Sequence, residues 1–190
     1  MALLEIKKFG CPTLRRRARR VEAITVDVRT LVDDMFETMY AAEGIGLAAP
    51  QVGVSLCVVV LDVSPGDPEA EATALINPEL SQGEGEVVGE EGCLSLPGVV
   101  GDVKRLAQVR VDALDRDGNA FSAVMSDISA RAVQHEVDHL NGVLVTDHFS
   151  AIKRNLLRSQ LVALKREGSR QRRGPIHVDP VPADSSRAPT

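Results

Sequence analysis

The nine residues QHEVDHLNG, from Gln134 to Gly142, contain the groups in this chain that are best suited to chemistry. His135 and His139 are four residues apart, and on an α-helix this spacing places two side chains on the same face, one turn apart. Two imidazoles in this arrangement can chelate one metal ion from a rigid element, as in the H-E-x-x-H motif of zinc hydrolases. Glu136 is rotated to the shoulder of that face, where we expect it to reach a water bound to the metal rather than the metal itself. The motif therefore predicts a catalytic metal site.

A catalytic ion needs a third protein ligand, and the sequence after this helix offers no well-placed one. Asp147 and His148 follow at a spacing that does not match the third ligand of the known zinc peptidase families. Upstream, Cys93 lies between a glycine and a leucine in the turn-rich stretch EEGCLSLPG, where a thiol is accessible. With the two histidines it makes a Cys-His₂ set, which leaves a fourth position for water, as in catalytic zinc sites. Cys11 has no other potential ligand or reactive side chain near it in the sequence, and Cys57 is interpreted as a small apolar side chain within a strand.

Three amphipathic helices are predicted from apolar residues at helical spacing. The first covers Val26 to Glu43, and the second, which carries the two histidines, covers Ser126 to Gly142. In the second helix we expect Ser126 or Asp127 to cap the first turn and Ile128 to contribute to apolar packing. The third covers Ser150 to Gly168, and five of its residues form one apolar stripe: Ile152, Leu156, Leu157, Leu161 and Leu164.

Short extended segments lie between the first two helices. SLCVVVLDV, from Ser55 to Val63, is apolar enough to be a buried strand, and ATALINPEL and GEGEVVGEEG are typical of further short strands. From Val103 polar and apolar residues alternate, and the turn DRDGN leads to a second extended run, AFSAVM. This pattern predicts a β-hairpin.

Composition indicates one globular domain. The chain has 190 residues, of which 44% are hydrophobic and only 3% aromatic, so Val, Leu, Ile and Ala must form most of the core. The longest apolar run, LCVVVL, is far too short to cross a bilayer, and no secretory segment is visible. We therefore expect a cytoplasmic protein with reduced thiols. A catalytic domain is predicted over residues 1–167 and a disordered tail over residues 168–190, where Arg, Pro, Ser and Asp dominate.

Charge is distributed unevenly along the chain. The formal net charge is −5, which argues against a generic nucleic-acid binder. Between Ser150 and Arg173, however, eight lysines and arginines accompany a single acid, Glu167. A basic segment on an acidic body favours a polyanionic partner, although a solvated helix and tail would have the same composition.

Three stretches together resemble the signature motifs of peptide deformylase of the bacterial type: GIGLAAPQ from Gly44 to Gln51, EGCLS from Glu91 to Ser95, and QHEVDHLNG. Their order and separation match as well, and the resemblance extends from about Leu3 to Lys165. We accordingly expect an α+β fold, in which small, mainly antiparallel sheets pack around a central metal-binding helix, with a C-terminal helix. Leu106 departs from the proline that many relatives carry at this point, and this difference concerns the local backbone, not the chemistry.

The resemblance implies a reaction: a metal-dependent hydrolase removes the formyl group from the N-terminal formyl-methionine of newly made proteins and releases formate. It implies that Cys93, His135 and His139 are the metal ligands and that Glu136 transfers the proton. The implied oxyanion donors are Gln51 and Leu94. Substrate contacts are implied at Gly44, Ile45, Gly46, Gly92 and Ala132. A Glu91–Arg105 ion pair that braces the Cys93 loop is a further hypothesis, and Arg131 has no assigned role.

The resemblance also implies a cofactor and partners. One divalent metal is expected, ferrous iron in the cell, with zinc, nickel or cobalt as replacements in preparations. N-formyl-methionyl peptides are the expected substrates, and the basic C-terminal helix is expected to dock on the ribosome, where formylated chains emerge. No membrane and no specific DNA partner is expected.

Two other functions share some of these features. A metallopeptidase that cuts internal peptide bonds also carries H-E-x-x-H, but an upstream cysteine ligand is not its pattern. A non-catalytic, metal-stabilised module with a nucleic-acid-binding helix would need the metal ligands but neither Glu136 nor Gln51. The presence of both residues favours the deformylase.

Overall fold

The computed structural model describes residues 2–64 and 72–171. Within these ranges the strands are β1 (Gly46–Ala48), β2 (Val58–Leu61), β3 (Thr73–Glu84), β4 (Val87–Glu91), β5 (Gly101–Arg105), β6 (Gln108–Leu114) and β7 (Ala120–Ser126). The α-helices are α1 (Val26–Ala41), α2 (Asp127–Leu140), α3 (Val145–His148), α4 (Ala151–Leu156) and α5 (Arg158–Gly168). Two short 3₁₀ helices cover Pro12–Arg15 and Ala49–Val52.

The predicted α+β fold, with mainly antiparallel sheets, is confirmed. Five strands form one antiparallel sheet in the order β1-β2-β3-β6-β7, while β4 and β5 form a separate antiparallel pair. The predicted hairpin is the β6–β7 pair. Its DRDGN connection is a turn held by Asp115, whose carboxylate accepts the backbone N–H groups of Asp117 and Asn119.

Strand β2 lies inside the large sheet, between β1 and β3, and is buried on both faces, which explains its continuous apolar sequence. Because side chains alternate along a strand, Val58 and Val60 join the core on the α1 side, together with Ile76. Val59 and Leu61 join the core on the α2 side. Full burial of such side chains contributes about 1.5–3 kcal/mol each. The large sheet therefore lies between the two long helices and holds α2 in a fixed position.

An N-terminal segment braces the loops that carry predicted site residues. The backbone N–H of Lys7 donates to the carbonyl oxygen of Gln51 at 2.7 Å, and that of Phe9 donates to the carbonyl oxygen of Ser95 at 2.8 Å. Gln171, just after α5, holds the other side of the segment, because its Oε1 accepts the N–H of Lys8 at 2.6 Å. The N-terminal segment thus connects the end of the C-terminal helix to the loops that carry Gln51 and Ser95.

The C-terminal helix differs from the sequence prediction. The predicted helix is interrupted by a turn at Leu157, which separates α4 from α5. Only the three later leucines of the predicted stripe pack against the core. Ile152 and Leu156 are 76% and 75% exposed, so the prediction that they pack in one stripe is wrong. The turn at Leu157 is the physical reason, because it rotates α4 away from the face that α5 buries.

The start of α2 also differs from the prediction. Ser126 occupies the N-cap position, but its hydroxyl donates to Asp127 instead of accepting a helix N–H, so the predicted side-chain cap is wrong. Asp127 adopts a positive φ of 52°, and its N–H donates to the carbonyl oxygen of Ala107. The turn from β7 into α2 is therefore set by the backbone. Ile128 is 49% exposed rather than packed in the core, because it faces the cleft described below.

In the described parts of the chain, no helix combines the length and the apolar character needed to cross a membrane. Of the predicted disordered tail, residues 168–190, only the first four residues are described: Gly168 ends α5, and Gln171 forms the contact with Lys8 given above. The other tail residues, 172–190, lie outside the described residues.

Candidate active site

Helix α2 carries the two histidines on its inward face. Ala130, Val133 and Leu140 of the same helix are buried against the sheet, and this packing fixes the rotation of the helix. His135 and His139 are consequently buried, 9% and 1% exposed, with ring centroids 5.1 Å apart. The i, i+4 spacing has the geometric effect that the sequence predicts.

Cys93 approaches the histidines from the loop after β4. The loop turns tightly, with the N–H of Leu96 donating to the carbonyl oxygen of Cys93 at 2.8 Å. Sγ of Cys93 lies 3.2 Å from Nε2 of His139, and one ligand atom from each of Cys93, His135 and His139 lies within 4.8 Å of the other two. Across residues 2–64 and 72–171 this is the one cluster of three or more such side chains with metal-site spacing. A thiolate with two imidazoles suits zinc, iron and similar first-row cations.

Glu91 lies beside the cluster and orients one of its imidazoles. Its Oε2 is 3.0 Å from Nδ1 of His135, which directs Nε2 toward the ligand cluster. Arg105 contacts the two carboxylate oxygens at 2.9 and 3.0 Å, so the hypothesised Glu91–Arg105 ion pair is present. Burial opposes ionisation of Glu91, but hydrogen bonds from His135 and Arg105 outweigh it and lower the pKa of Glu91 to about 2.

Two members of this network were not assigned from the sequence. Arg131 donates to Oε1 of Glu91 at 2.8 Å, and Asp138 accepts a hydrogen bond from Arg105 at 2.6 Å. Arg131 precedes His135 by four residues and therefore lies on the same helical face. The spacing of Arg131 from His135 is the sequence feature that could have indicated its contact with Glu91. An arginine on a helix face that carries ligands requires a carboxylate partner when it is mostly buried.

Arg131 also ties the small sheet to α2. Its guanidinium donates to the carbonyl oxygens of Gly89 at 3.3 Å, Val103 at 3.1 Å and Val87 at 3.2 Å. Each of these carbonyls belongs to β4 or β5. The side chain therefore fixes the distance between the β4–β5 pair and α2.

The side chain of Gln51 is held in one orientation. It is 1% exposed, and its Oε1 accepts the N–H of Ala48 at 2.8 Å. Its amide nitrogen is therefore directed at the Cys93 loop, 3.6 Å from Sγ of Cys93 and 3.3 Å from Oγ of Ser95. Ser95 is a contact that the sequence interpretation did not identify. A fixed amide donor beside a ligand cluster can stabilise negative charge that develops on a substrate oxygen.

Glu136 is a buried carboxyl group, 5% exposed, and burial raises its pKa to about 7. Its Oε2 has no hydrogen-bond partner among the described residues. The close neighbour is Gly46 of β1, where a Cβ would lie only 2.6 Å from Oε1 of Glu136. A carboxyl group with this pKa can accept and release a proton near neutral pH.

The two imidazoles are in different electrostatic environments. Burial, reinforced by the positive charges of His135 and Arg105, holds the pKa of His139 well below its ordinary value, so this ring is neutral and ready to ligate. For His135 burial is outweighed by its contacts with Cys93 and Glu91, which raise the pKa well above the ordinary value. A cation that binds there must displace that proton, which makes binding pH-dependent. Nδ1 of His139 is buried without a partner among the described residues.

A cleft of about 380 Å³ opens beside these groups. All the predicted substrate contacts line it: Gly44, Ile45, Gly46, Gly92 and Ala132. The predicted oxyanion donors Gln51 and Leu94 line it as well. One wall is β1, which is an edge strand of the large sheet, so an extended peptide can lie along its open side. Ligand cluster, buried carboxyl, fixed donor and cleft together are suited to metal-assisted hydrolysis of a carbonyl compound.

Comparison with known proteins identifies relatives of this chain. The family model described as Polypeptide deformylase matches residues 3–155. A peptide deformylase of Thermodesulfovibrio yellowstonii is 47% identical over 165 residues, which cover 87% of this chain and 100% of that protein. One from Cellvibrio japonicus is 48% identical over 171 residues, covering 90% of this chain and 100% of that protein.

Solved structures give the same result. A crystal structure of a peptide deformylase from Legionella pneumophila matches with a TM-score of 0.81 at 43% identity, covering 90% of this chain and 100% of that chain. The crystal structure of peptide deformylase from Thermus thermophilus matches with a TM-score of 0.81 at 37% identity, covering 87% and 99%, respectively. These matches favour the deformylase over the metallopeptidase and the non-catalytic module.

Proposed function

Because the chain belongs to the polypeptide deformylase family, metal-dependent hydrolases that remove the formyl group from N-terminal formyl-methionine, we propose that Cys93, His135 and His139 hold its catalytic metal. The observation that carries this proposal is the convergence of the three ligand atoms within 4.8 Å, next to a buried Glu136. The orientation of His135 by Glu91 also fits a metal ligand, since ligating imidazoles commonly donate their other nitrogen to a carboxylate or carbonyl.

We propose ferrous iron as the metal in the cell. A Cys-His₂ set also accepts zinc, nickel and cobalt. Preparations exposed to air, in which ferrous iron is lost by oxidation, are therefore expected to contain these ions instead. When bound, the cation supplies Lewis acidity, which lowers the pKa of a nearby water and polarises a carbonyl oxygen. Anaerobic purification followed by elemental analysis tests this assignment, and a stoichiometric zinc content in that preparation would contradict it.

Glu136 is proposed to move the proton. Its carboxylate takes a proton from the attacking water and returns it to the amine that leaves when the formyl C–N bond breaks. The pKa of about 7 supports both steps, because the group is then neither too weak a base nor too weak an acid near neutral pH. Gly46 leaves room for the carboxyl oxygen, and a larger residue there would displace it.

Gln51 and the backbone N–H of Leu94 are proposed to stabilise the oxyanion. The carbonyl oxygen of the Gln51 amide accepts the N–H of Ala48, so the NH₂ group is directed at the Cys93 loop, beside the proposed position of the reacting carbonyl. Loss of one such donor typically lowers kcat by about 10²–10³. Gln51→Ala is thus expected to reduce turnover with little change in metal content.

The substrate is proposed to lie along Gly44, Ile45 and Gly46, with the methionine side chain in the cleft near Ile45 and Ala132. A formyl carbon carries only hydrogen on the side that faces Cys93 and Gln51. An acetyl group adds a methyl there, and an internal peptide carbonyl adds a whole residue. The crowding of Cys93 by the Gln51 amide, at 3.6 Å, supports selection for the smallest acyl group.

Turnover of matched peptides tests the proposed reaction. The iron-loaded protein is expected to release formate rapidly from formyl-Met-Ala-Ser and to release little acetate from acetyl-Met-Ala-Ser, and to leave internal bonds of longer peptides intact. Glu136→Gln, which keeps the shape of the side chain, is expected to retain the metal and lose about 10²–10⁴ in rate. Cleavage of internal bonds without formate release would replace this function with that of a peptidase.

We further propose that the enzyme works in the cytoplasm and docks on the ribosome through its basic C-terminal residues. Formylated chains emerge at the ribosome, and the basic residues between Ser150 and Arg173 are suited to its phosphate groups. Truncation after Gln171, which keeps the contact of that side chain with Lys8, combined with charge reversal of Lys153, Arg154 and Arg158, is expected to weaken co-sedimentation with ribosomes and to spare turnover of a small formyl peptide. Unchanged co-sedimentation would count against docking by this route.

A further inference from the structure

A second basic segment lies near the N-terminus, far in sequence from the C-terminal one. Five of the six residues from Arg15 to Arg20 are arginines, in a chain whose formal net charge is −5. All five are exposed, while Ala18 among them is buried. We refer to Arg15–Arg20 as the arginine segment.

The backbone of the arginine segment is held rigidly on the body of the protein. The N–H of Ala18 donates to the carbonyl oxygen of Leu140, at the end of α2, at 2.7 Å. The N–H of Arg19 donates to the carbonyl oxygen of Ser55 at 3.0 Å, and its carbonyl oxygen accepts the N–H of Cys57 at 2.8 Å. A surface fixed in this way loses little backbone entropy when it binds a partner. The segment is therefore a preorganised surface and not a loose basic tail.

The ends of the arginine segment are neutralised and its centre is not. Arg15 pairs with Asp147, and Arg20 pairs with Glu79 at 2.5 Å. Within the described residues, the guanidinium groups of Arg16, Arg17 and Arg19 form no ion pair and no hydrogen bond. Three neighbouring, exposed cations are thus free to bind an anionic partner.

We propose that the arginine segment binds the phosphate backbone of structured RNA. The planar guanidinium group matches phosphate oxygens with two hydrogen bonds, and backbone recognition needs cations alone. Protein interfaces, in contrast, are usually centred on buried apolar or aromatic anchors, and membrane-surface segments insert apolar side chains. The arginine segment offers neither, because its apolar residue Ala18 and the flanking Leu14 and Val21 are all buried. The absence of an aromatic residue in Arg15–Arg20 also argues against base stacking, so binding is expected to be independent of sequence.

Salt-dependent binding of an RNA duplex tests this proposal, which is independent of the deformylase reaction. The metal-loaded protein is titrated against a fluorescein-labelled RNA duplex of about 20 base pairs, with anisotropy measured between about 50 and 200 mM salt, where phosphate contacts give a linear dependence of log K on log salt concentration. The variant Arg16→Gln/Arg17→Gln/Arg19→Gln is expected to reduce the magnitude of the slope by about 2 to 3, since each lost phosphate contact removes roughly 0.7–0.9. A control with the same loss of charge changes to glutamine three cations elsewhere that already pair with a carboxylate: Lys104, Arg110 and Arg116.

The control variant is expected to keep the wild-type slope, and both variants are expected to deformylate formyl-Met-Ala-Ser at the wild-type rate. Equal slopes for all three proteins would overturn the proposal. So would equal losses in both variants, which would show an effect of net charge only. Binding to vesicles that contain phosphatidylserine, or to polyglutamate, as tight as binding to RNA at the same salt concentration would assign the surface to a membrane or an acidic protein instead.

Discussion

The substitution Glu91→Gln tests whether one buried carboxylate supports both the fold and the metal site. Glu91 accepts two hydrogen bonds from Arg105, one from Arg131 and one from His135, and the side chains of Glu91 and Arg105 are each only 5% exposed. A glutamine keeps one acceptor oxygen but places an NH₂ group against donors and leaves the buried guanidinium without its main counter-charge. Removing one partner of a buried ion pair costs about 3–5 kcal/mol. For a domain of this size that loss lowers the melting temperature by roughly 6–20 °C.

The same substitution is expected to weaken metal binding by about 10–100-fold, because His135 loses the carboxylate that orients it. Thermal unfolding followed by circular dichroism, on the metal-free form, measures the stability change without the contribution of bound metal. Competition with a chromogenic chelator measures the affinity. Glu90→Gln is the matched control, because Glu90 is adjacent but exposed, and it forms no ion pair with the described residues. Wild-type stability and wild-type affinity in Glu91→Gln would refute the reasoning.

Three further outcomes are expected. Cys93→Ala should lose most of its metal, since only two imidazoles remain, and elemental analysis after desalting will show whether the third ligand lies elsewhere. Gly46→Ala should keep its metal but lose about 10²-fold in turnover, because the new Cβ displaces the nearby carboxyl of Glu136, and a wild-type rate would exclude that contact. Burial and the hydrogen bond to Asp62 raise the pKa of Tyr40, the only tyrosine, to about 12. Because this pKa is above the unfolded value of about 10, the environment of neutral Tyr40 stabilises the folded state below about pH 10. This contribution to the free energy of unfolding disappears as the pH rises through about 12. Phenolate absorbance should report that midpoint and shift toward about 10 in Asp62→Asn.

The parts of the site that the sequence predicts are those that depend on local spacing. His135 and His139 fall on one face because of the helical repeat, whatever the rest of the fold does. Cys93 could be selected because its neighbours form a turn that leaves the thiol accessible. For Gln51 and Leu94 the prediction rested on motif resemblance, since a loop glutamine or an apolar residue has many ordinary roles.

The parts that the sequence does not predict depend on packing between distant segments. The contacts of Arg131 arise because β4 and β5 pack against α2, and no local pattern encodes that distance. Asp138 meets Arg105 for the same reason. The break at Leu157 was missed because a single apolar stripe over Ser150 to Gly168 assumes one straight helix. Ile152 shows the result, since it is exposed on the shorter helix instead of buried.

The position of Glu136 shows that this site is maintained against a cost in stability. Its carboxyl group has a folded-state pKa of about 7, above the ordinary value of 4.5, so the folded state holds this proton more tightly than the unfolded state. The resulting penalty is absent below about pH 4.5 and complete above about pH 7, where it is on the order of 3 kcal/mol. Moving the carboxylate into water would remove the penalty, but it would also return the pKa to a value too low for proton transfer at neutral pH. The large sheet, the buried face of α2 and the Glu91 network therefore have to stabilise the fold enough to keep the proposed proton-transfer group buried.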